Sequence, residues 1–211
     1  ELNLLDGKAA TNLALVGKTE GTNFTDSLLV GHATTGTLNA AQDNTGVGIG
    51  ALDAITSADS VTAIGNDAAT NVTSGGFSTV VGAGAYFTNS TGTNNTAVGR
   101  FSLRSSTGSN NVALGKDSGE ALSSGSQNII IGSNTGDQYP TTGSGNVLIG
   151  NNIDADATSS ARTLKIAGYD GSTTTTWISG SSAGVVTLNA ANVTQQALTS
   201  SSNAVAWDAS A

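Results

Sequence analysis

Several residues in this 211-residue chain are of types that could do chemistry, so their spacing is the first test. Gly180-Ser181-Ser182-Ala183-Gly184 has the pattern of a nucleophile elbow. An elbow needs a strand-to-helix turn around its serine, with a histidine and an acid alongside. Here the run falls between two expected strands, and the one histidine, His32, is far away in sequence. A Gly-Ser turn is therefore the reading. Gly46, Gly48 and Gly50 imitate a dinucleotide loop, but no helix pattern follows to present a phosphate site. Three copies of His32 around an axis could hold a metal, but an exposed corner histidine needs no such role. Glycan cleavage demands two carboxylates at a fixed separation. Asp53, Asp59, Asp67, Asp117, Glu120 and Asp137 do not recur at one position and offer no evident pair. They read as solvated loop charge, so Asp137→Asn is expected to be nearly silent. Tyr86, Phe87 and Phe101 are the candidate surface-binding residues, with packing at subunit boundaries as the competing role. No catalytic residue, cofactor or metal is assigned, and the chain is not expected to be an enzyme.

Composition narrows the scaffold. Seven Lys+Arg against 15 Asp+Glu give a net charge of -8, which argues against a nucleic-acid partner. With no Cys, disulfide and thiolate-metal frameworks are excluded. No apolar run is long enough for a membrane-spanning helix, so no membrane insertion is expected. The N-terminal Glu1-Leu2-Asn3 carries neither an initiator Met nor a signal peptide, as expected of a piece of a longer chain. Gly, Ser, Thr, Asn, Ala and Val dominate, a palette suited to extended repeats with thin cores.

A repeat is indeed present. A polar residue, three mostly apolar or Thr residues and a Gly recur as Ser27–Gly31, Asn44–Gly48, Ser78–Gly82, Asn95–Gly99, Asn111–Gly115, Asn128–Gly132 and Asn146–Gly150. Ser60–Gly65 reads as a copy with one extra residue, and Leu13–Gly17 as a degenerate one. The anchors Gly31, Gly48, Gly65, Gly82, Gly99, Gly115, Gly132 and Gly150 are spaced 17, 17, 17, 17, 16, 17 and 18 apart. The phrases are short and β-branched, and the gaps carry turn residues. This predicts an all-β fold, a parallel β-roll or β-solenoid of about 17-residue coils stacked about 4.8 Å apart. Asn44, Asn95, Asn111, Asn128 and Asn146 would form a polar ladder, bonding to one another and to turn backbone.

The aliphatic residue before each anchor is expected inside, so Ile131→Asp should be severe. The residue two before the anchor is also apolar or small: Leu29, Gly46, Ala63, Val80, Ala97, Ala113, Ile130 and Leu148. Both strand faces thus look buried. No helix is available as a cover, so the second face, taken as that of Leu29 to Leu148, is expected to meet other copies of the chain.

Asn94–Leu103, Ser109–Gly119 and Ser126–Gly136 resemble the head repeats of trimeric autotransporter adhesins of the YadA-like kind. The coil here is longer than is usual in that family. The resemblance covers roughly residues 25–152 and implies a left-handed parallel β-roll packed as a homotrimer. The flanks 1–7, 173–180 and 203–211 resemble segments of bacteriophage tail-fibre proteins, notably marine ones, which mix such rolls with β-rich linkers. The resemblance implies a structural segment of a trimeric phage tail fibre on the virion surface. It would space or present host-binding elements, with other fibre or baseplate proteins and a host cell-surface glycan or protein as partners. The alternatives are the head of a bacterial trimeric adhesin on the outer surface and, less favoured, a glycan-cleaving tailspike.

The expected organisation is an opening segment with a partial coil (1–24), the repeat roll (25–152), a linker (153–160) and a small β-rich domain (161–211). In the last, Thr163–Ala167 and Thr175–Ser179 should form a hairpin around Asp170-Gly171, with Val185–Leu188 as a third strand.

Overall fold

A computed structural model describes residues 17–21, 24–31, 35–139 and 141–188. The expected Leu13–Gly17 copy, His32, and the ambiguous stretch from Asn189 to the C-terminal Val205–Trp207 strand lie wholly or partly outside these residues. The described chain is all-β, with no helix. Its strands are β1 (Gly17–Gly21), β2 (Phe24–Val30), β3 (Ala41–Gln42), β4 (Thr45–Val47), β5 (Thr62–Ile64), β6 (Thr79–Val81), β7 (Thr96–Val98), β8 (Val112–Leu114), β9 (Ile129–Ile131), β10 (Val147–Ile149), β11 (Leu164–Tyr169), β12 (Thr174–Gly180) and β13 (Val186–Leu188). One sheet contains all of them. From β2 through β4 to β11 each strand pairs in parallel with the equivalent residues of the next repeat, as in Thr79↔Thr96, Val80↔Ala97 and Val81↔Val98. This is a parallel β-solenoid with one three-residue strand per coil. Nine stacked strands enclose eight coils, about 38 Å at the usual strand spacing.

The rest of each coil is turn, and its backbone also bonds from coil to coil. Leu52, Ala69, Tyr86 and Leu103, four residues past their anchors, are all left-handed, with φ from 49 to 59°. Gly119 and Gly136 hold that position in the following coils. The N–H of each non-glycine member donates to the coil ahead: Ala69 to Ala85 O at 3.0 Å, Tyr86 to Ser102 O at 2.9 Å, Leu103 to Ser118 O at 2.9 Å. A left-handed L-residue costs roughly 1–2 kcal/mol, so this shape persists because every neighbouring coil imposes it.

The anchor glycines line one edge, as the spacing predicts. Gly99 has φ +133°, and a Cβ placed on it would lie 2.2 Å from the Gly115 carbonyl oxygen. Similar clashes, at 2.4 to 2.8 Å, await a Cβ at Gly48, Gly65, Gly82 and Gly31. The column ends at Ala167, 17 residues beyond Gly150, where the next strand is antiparallel and a side chain fits.

Three expectations are corrected. First, Ser60–Gly65 holds no extra residue: Thr62 pairs with both Thr45 and Thr79, and Val61 takes the ladder position. Second, residues 153–160 are not a linker. Ile153 is buried, Leu164 pairs in parallel with Val147, and 151–167 complete an eighth coil that keeps the period. Third, β1 belongs to no coil. It is antiparallel to β2 and closes the N-terminal end as a hairpin. At the other end β11, β12 and β13 form the expected antiparallel meander around Asp170-Gly171. Length variation is confined to turns. Asn89 and Gly92 enclose two residues whereas Ser106 and Gly108 enclose one, which gives the 16-residue coil while the interior positions stay aligned.

Gly99→Ala and Gly171→Ala separate the two demands on glycine. Gly171 has φ +102° but open space around it. We expect Gly171→Ala to cost about 1 kcal/mol, the backbone term alone. Gly99→Ala should cost roughly 3 kcal/mol or more, because it adds a clash that only separating two coils relieves. Urea unfolding of both variants measures the difference.

Candidate functional surface

The interior is built from columns. Two residues before the anchors, Leu29, Ala63, Val80, Ala97, Ala113, Ile130 and Leu148 are all buried, and Gly46 is buried with them. Three residues after the anchors, Ala51, Ala68, Ala85, Ser102, Ser118 and Thr135 line the same core. The hydroxyls among these are satisfied: Ser118 Oγ donates to Ile130 O at 2.9 Å and Thr135 Oγ1 to Gly150 O at 2.9 Å.

The asparagine ladder is also inside. Asn44, Asn95, Asn111, Asn128 and Asn146 are almost wholly excluded from solvent. The Oδ1 of each accepts the N–H one coil ahead: Val61 N on Asn44 at 3.0 Å, Asn111 N on Asn95 at 2.9 Å, Asn128 N on Asn111 at 3.0 Å, Asn146 N on Asn128 at 2.9 Å, Thr163 N on Asn146 at 2.9 Å. Their amide nitrogens donate to turn carbonyls such as Gly125 O and Gly143 O. A buried N–H without a partner costs about 1–3 kcal/mol, and this column supplies the partner. Its role is structural.

Strand parity therefore assigns the outer face to the residues one and three before the anchor, and the inside–outside expectation is reversed. Val30, Val47, Ile64, Val81, Val98, Leu114, Ile131, Ile149 and Ile166 form one outward column. Leu28, Thr45, Thr62, Thr79, Thr96, Val112, Ile129, Val147 and Leu164 form the other. Leu114 is 47% exposed and Ile64 42%. Ile131 is half-buried on this face, whereas Ile130 is the core residue. Alternation could not expose the swap, because both columns are apolar.

Of the aromatic candidates, Tyr86 is corrected outright: its ring is fully buried and its hydroxyl bonds to Asn95 inside the ladder. Burial pushes that phenol well above its ordinary pKa. Phe87 is half-buried. Phe101, also half-buried, carries the Arg100 guanidinium 3.9 Å from its ring centre and that of Arg104 at 4.6 Å. The structure does not bring these three rings together into one exposed patch. Among the described residues the exposed aromatics Phe77, Tyr139, Tyr169 and Trp177 are others; Phe77 and Tyr139 sit at coil positions where no other coil has an aromatic, and Tyr169 and Trp177 lie beyond the coils.

Gly180–Gly184 is a turn between β12 and β13, closed by Ser181 N donating to Val185 O at 2.9 Å. Gly46 lies in β4 and Gly48 at its corner, as parts of the repeat. Among the described residues no three His, Cys, Asp or Glu side chains are grouped to hold a metal. The acidic loop residues are not uniform. Asp137 Oδ1 is shut from solvent with no hydrogen-bond partner. Burial, followed by the Asp154 charge, raises its pKa above the ordinary carboxylate range. No protein family, curated protein or solved structure matches this chain.

Two outcomes are expected from these contacts. Asn128→Ala should lower stability by about 3 kcal/mol, since it strands the Asn146 N–H in a dry interior. Calorimetry against the parent would show it. Asp137→Asn should not be silent. A raised folded pKa means the native state holds its proton longer than the unfolded chain, so the ionised form is penalised as pH rises through the folded value. The variant should melt with the parent below about pH 4, near the unfolded carboxylate value, and above it at neutral pH.

Proposed function

We propose that this chain is a structural segment of a trimeric fibre that holds host-binding elements away from the particle or cell that carries it. The phage tail fibre is the preferred setting, on the motif and flank resemblances. The observation that carries the proposal is the outer sheet face. Its two columns make a strip about 38 Å by 10 Å, comparable with the largest apolar patch a monomer shows. The strip is continuous through all nine stacked strands.

A second copy of the chain suits this face. It has the same axial rise, so each outward residue meets its equivalent at every coil, with an aliphatic side chain before the anchor each time. Polarity favours copies that run parallel. The column three before the anchor is Leu28, then Thr at 45, 62, 79 and 96, then Val112, Ile129, Val147 and Leu164. Copies in parallel register set Thr against Thr and aliphatic against aliphatic, whereas antiparallel copies would bury hydroxyls against methyls. Cyclic symmetry is the arrangement that keeps every subunit parallel to its neighbours. The three-fold order comes from the resemblance.

Neighbouring residues on β8 give the test. Leu114→Glu lies on the outer face, so it should leave the coil folded and reduce a trimeric mass in light scattering to that of one chain. Ala113→Glu places a carboxylate in the interior and should unfold the solenoid, a loss of roughly 3 kcal/mol or more. A parent chain that is monomeric at micromolar concentration would overturn the fibre reading.

A further inference from the structure

The C-terminal meander carries a feature that the repeat does not predict. The β11–β12 register passes from Ile166↔Ile178 to Ala167↔Thr176, which leaves Trp177 as the extra residue of a β-bulge. A bulge re-aims the side chain it carries. The indole comes to rest over Gly168, where a Cβ would lie 2.5 Å from Cζ2, so the absence of a side chain at 168 makes its seat. Trp177 nevertheless remains 54% exposed. Beside it is a groove of about 320 Å3 lined by Gly168, Tyr169, Asp170, Thr173, Thr175 and Trp177. This part of the hairpin projects past the corner at which the coils turn, beyond the ends of the aliphatic columns at Leu164 and Ile166.

The polar groups of the groove are held in place. Asp170 Oδ1 accepts from Ser172 N at 2.9 Å, Ser172 Oγ at 3.1 Å and Thr173 N at 2.8 Å. Tyr169 donates its hydroxyl to Gly171 O at 2.8 Å. The Asp170 carboxylate is thus oriented by its own turn through one oxygen.

We propose that the Trp177–Asp170 groove binds one uncharged pyranose ring of a cell-surface glycan. The C–H face of the sugar stacks on the indole, while its hydroxyls donate to the Asp170 carboxylate and meet the Thr173 and Thr175 side chains. The volume is at the small end of ligand sites, as suits a single ring. Charge selects a neutral sugar over an acidic one: the lining contains a carboxylate and no cation, in a chain of net charge -8. The Thr173 and Ser172 N–H bonds hold the Asp170 pKa below the ordinary carboxylate range, which keeps it an acceptor. The cell-surface origin of the ligand rests on the fibre reading; the site itself does not.

Trp177 and Trp207 are the two indoles of the chain, so a Trp207→Phe background makes Trp177 the reporter. The probes are the methyl pyranosides of glucose, galactose, mannose and N-acetylglucosamine, with methyl glucuronide as the charged counterpart. A saturable change in Trp177 emission is expected with at least one neutral glycoside and a weaker one with the glucuronide. In saturation-transfer NMR, Trp177→Ala should lose about tenfold in affinity while melting with the parent. No saturable response to any neutral glycoside, or equal affinity in Trp177→Ala, overturns the proposal. So does a Trp177→Ala variant whose only change is a smaller assembly, which would make the neighbouring copy the occupant. A monomer that binds the glycoside keeps the site and refutes the fibre. A trimer that binds none refutes the site and keeps the fibre.

Discussion

The close approach of successive coils at the glycine corners is the constraint on which the solenoid depends. With the Gly115 carbonyl oxygen 2.2 Å from where a Gly99 Cβ would sit, any side chain there would force two coils apart. The same separation is set, on the strand, by parallel pairing and, inside, by Asn side chains that reach the N–H one coil ahead. Corner, sheet and ladder thus agree on a single rise. That agreement lets residues such as Leu103 and Tyr86 be held at positive φ without a glycine, because a lone relaxed coil would lose its bonds to both neighbours.

Much of this was legible in the chain itself. The anchors at near-constant spacing fixed the coil, and five of the eight anchored phrases carry Asn at the ladder position. What alternation could not decide was which apolar column faces inward. On β9 all three residues are Ile, so hydropathy contains no parity signal there. The signal that was available is size. The inner column mixes Gly46 and Ala63, Ala97 and Ala113 with Val, Leu and Ile, and shares the interior with larger side chains, as where Leu52 Cδ1 lies 3.3 Å from the place of a Gly46 Cβ, whereas the outer column before the anchor is uniformly β-branched or Leu. A column of varied volume belongs to a packed interior; a column of constant volume belongs to a surface that repeats.

The end of the repeat was misplaced for a related reason. Residues 151–160 lack the Gly phrase, but a coil needs its glycine only when another coil follows it. Ala167 stands at the corner position because β12 runs antiparallel beyond it. The same exchange of parallel for antiparallel pairing admits Trp177 as an extra residue, since the ladder no longer has to match a 17-residue neighbour. The candidate sugar groove was invisible to repeat analysis on the same grounds: it depends on a bulge and a missing side chain at Gly168, and neither has a period.

The direction of the hydrogen bonds has a mechanical meaning. Backbone bonds between coils, and the side-chain bonds of the ladder, both point along the stacking axis. Tension applied between the two end hairpins therefore loads them end-on, in series, rather than in shear. The coil whose three-residue strand holds least yields first, and each one that opens frees a loop of some 17 residues, on the order of 55 Å of extended chain. Under load such a rod lengthens in discrete steps, and its two antiparallel hairpins act as the grips.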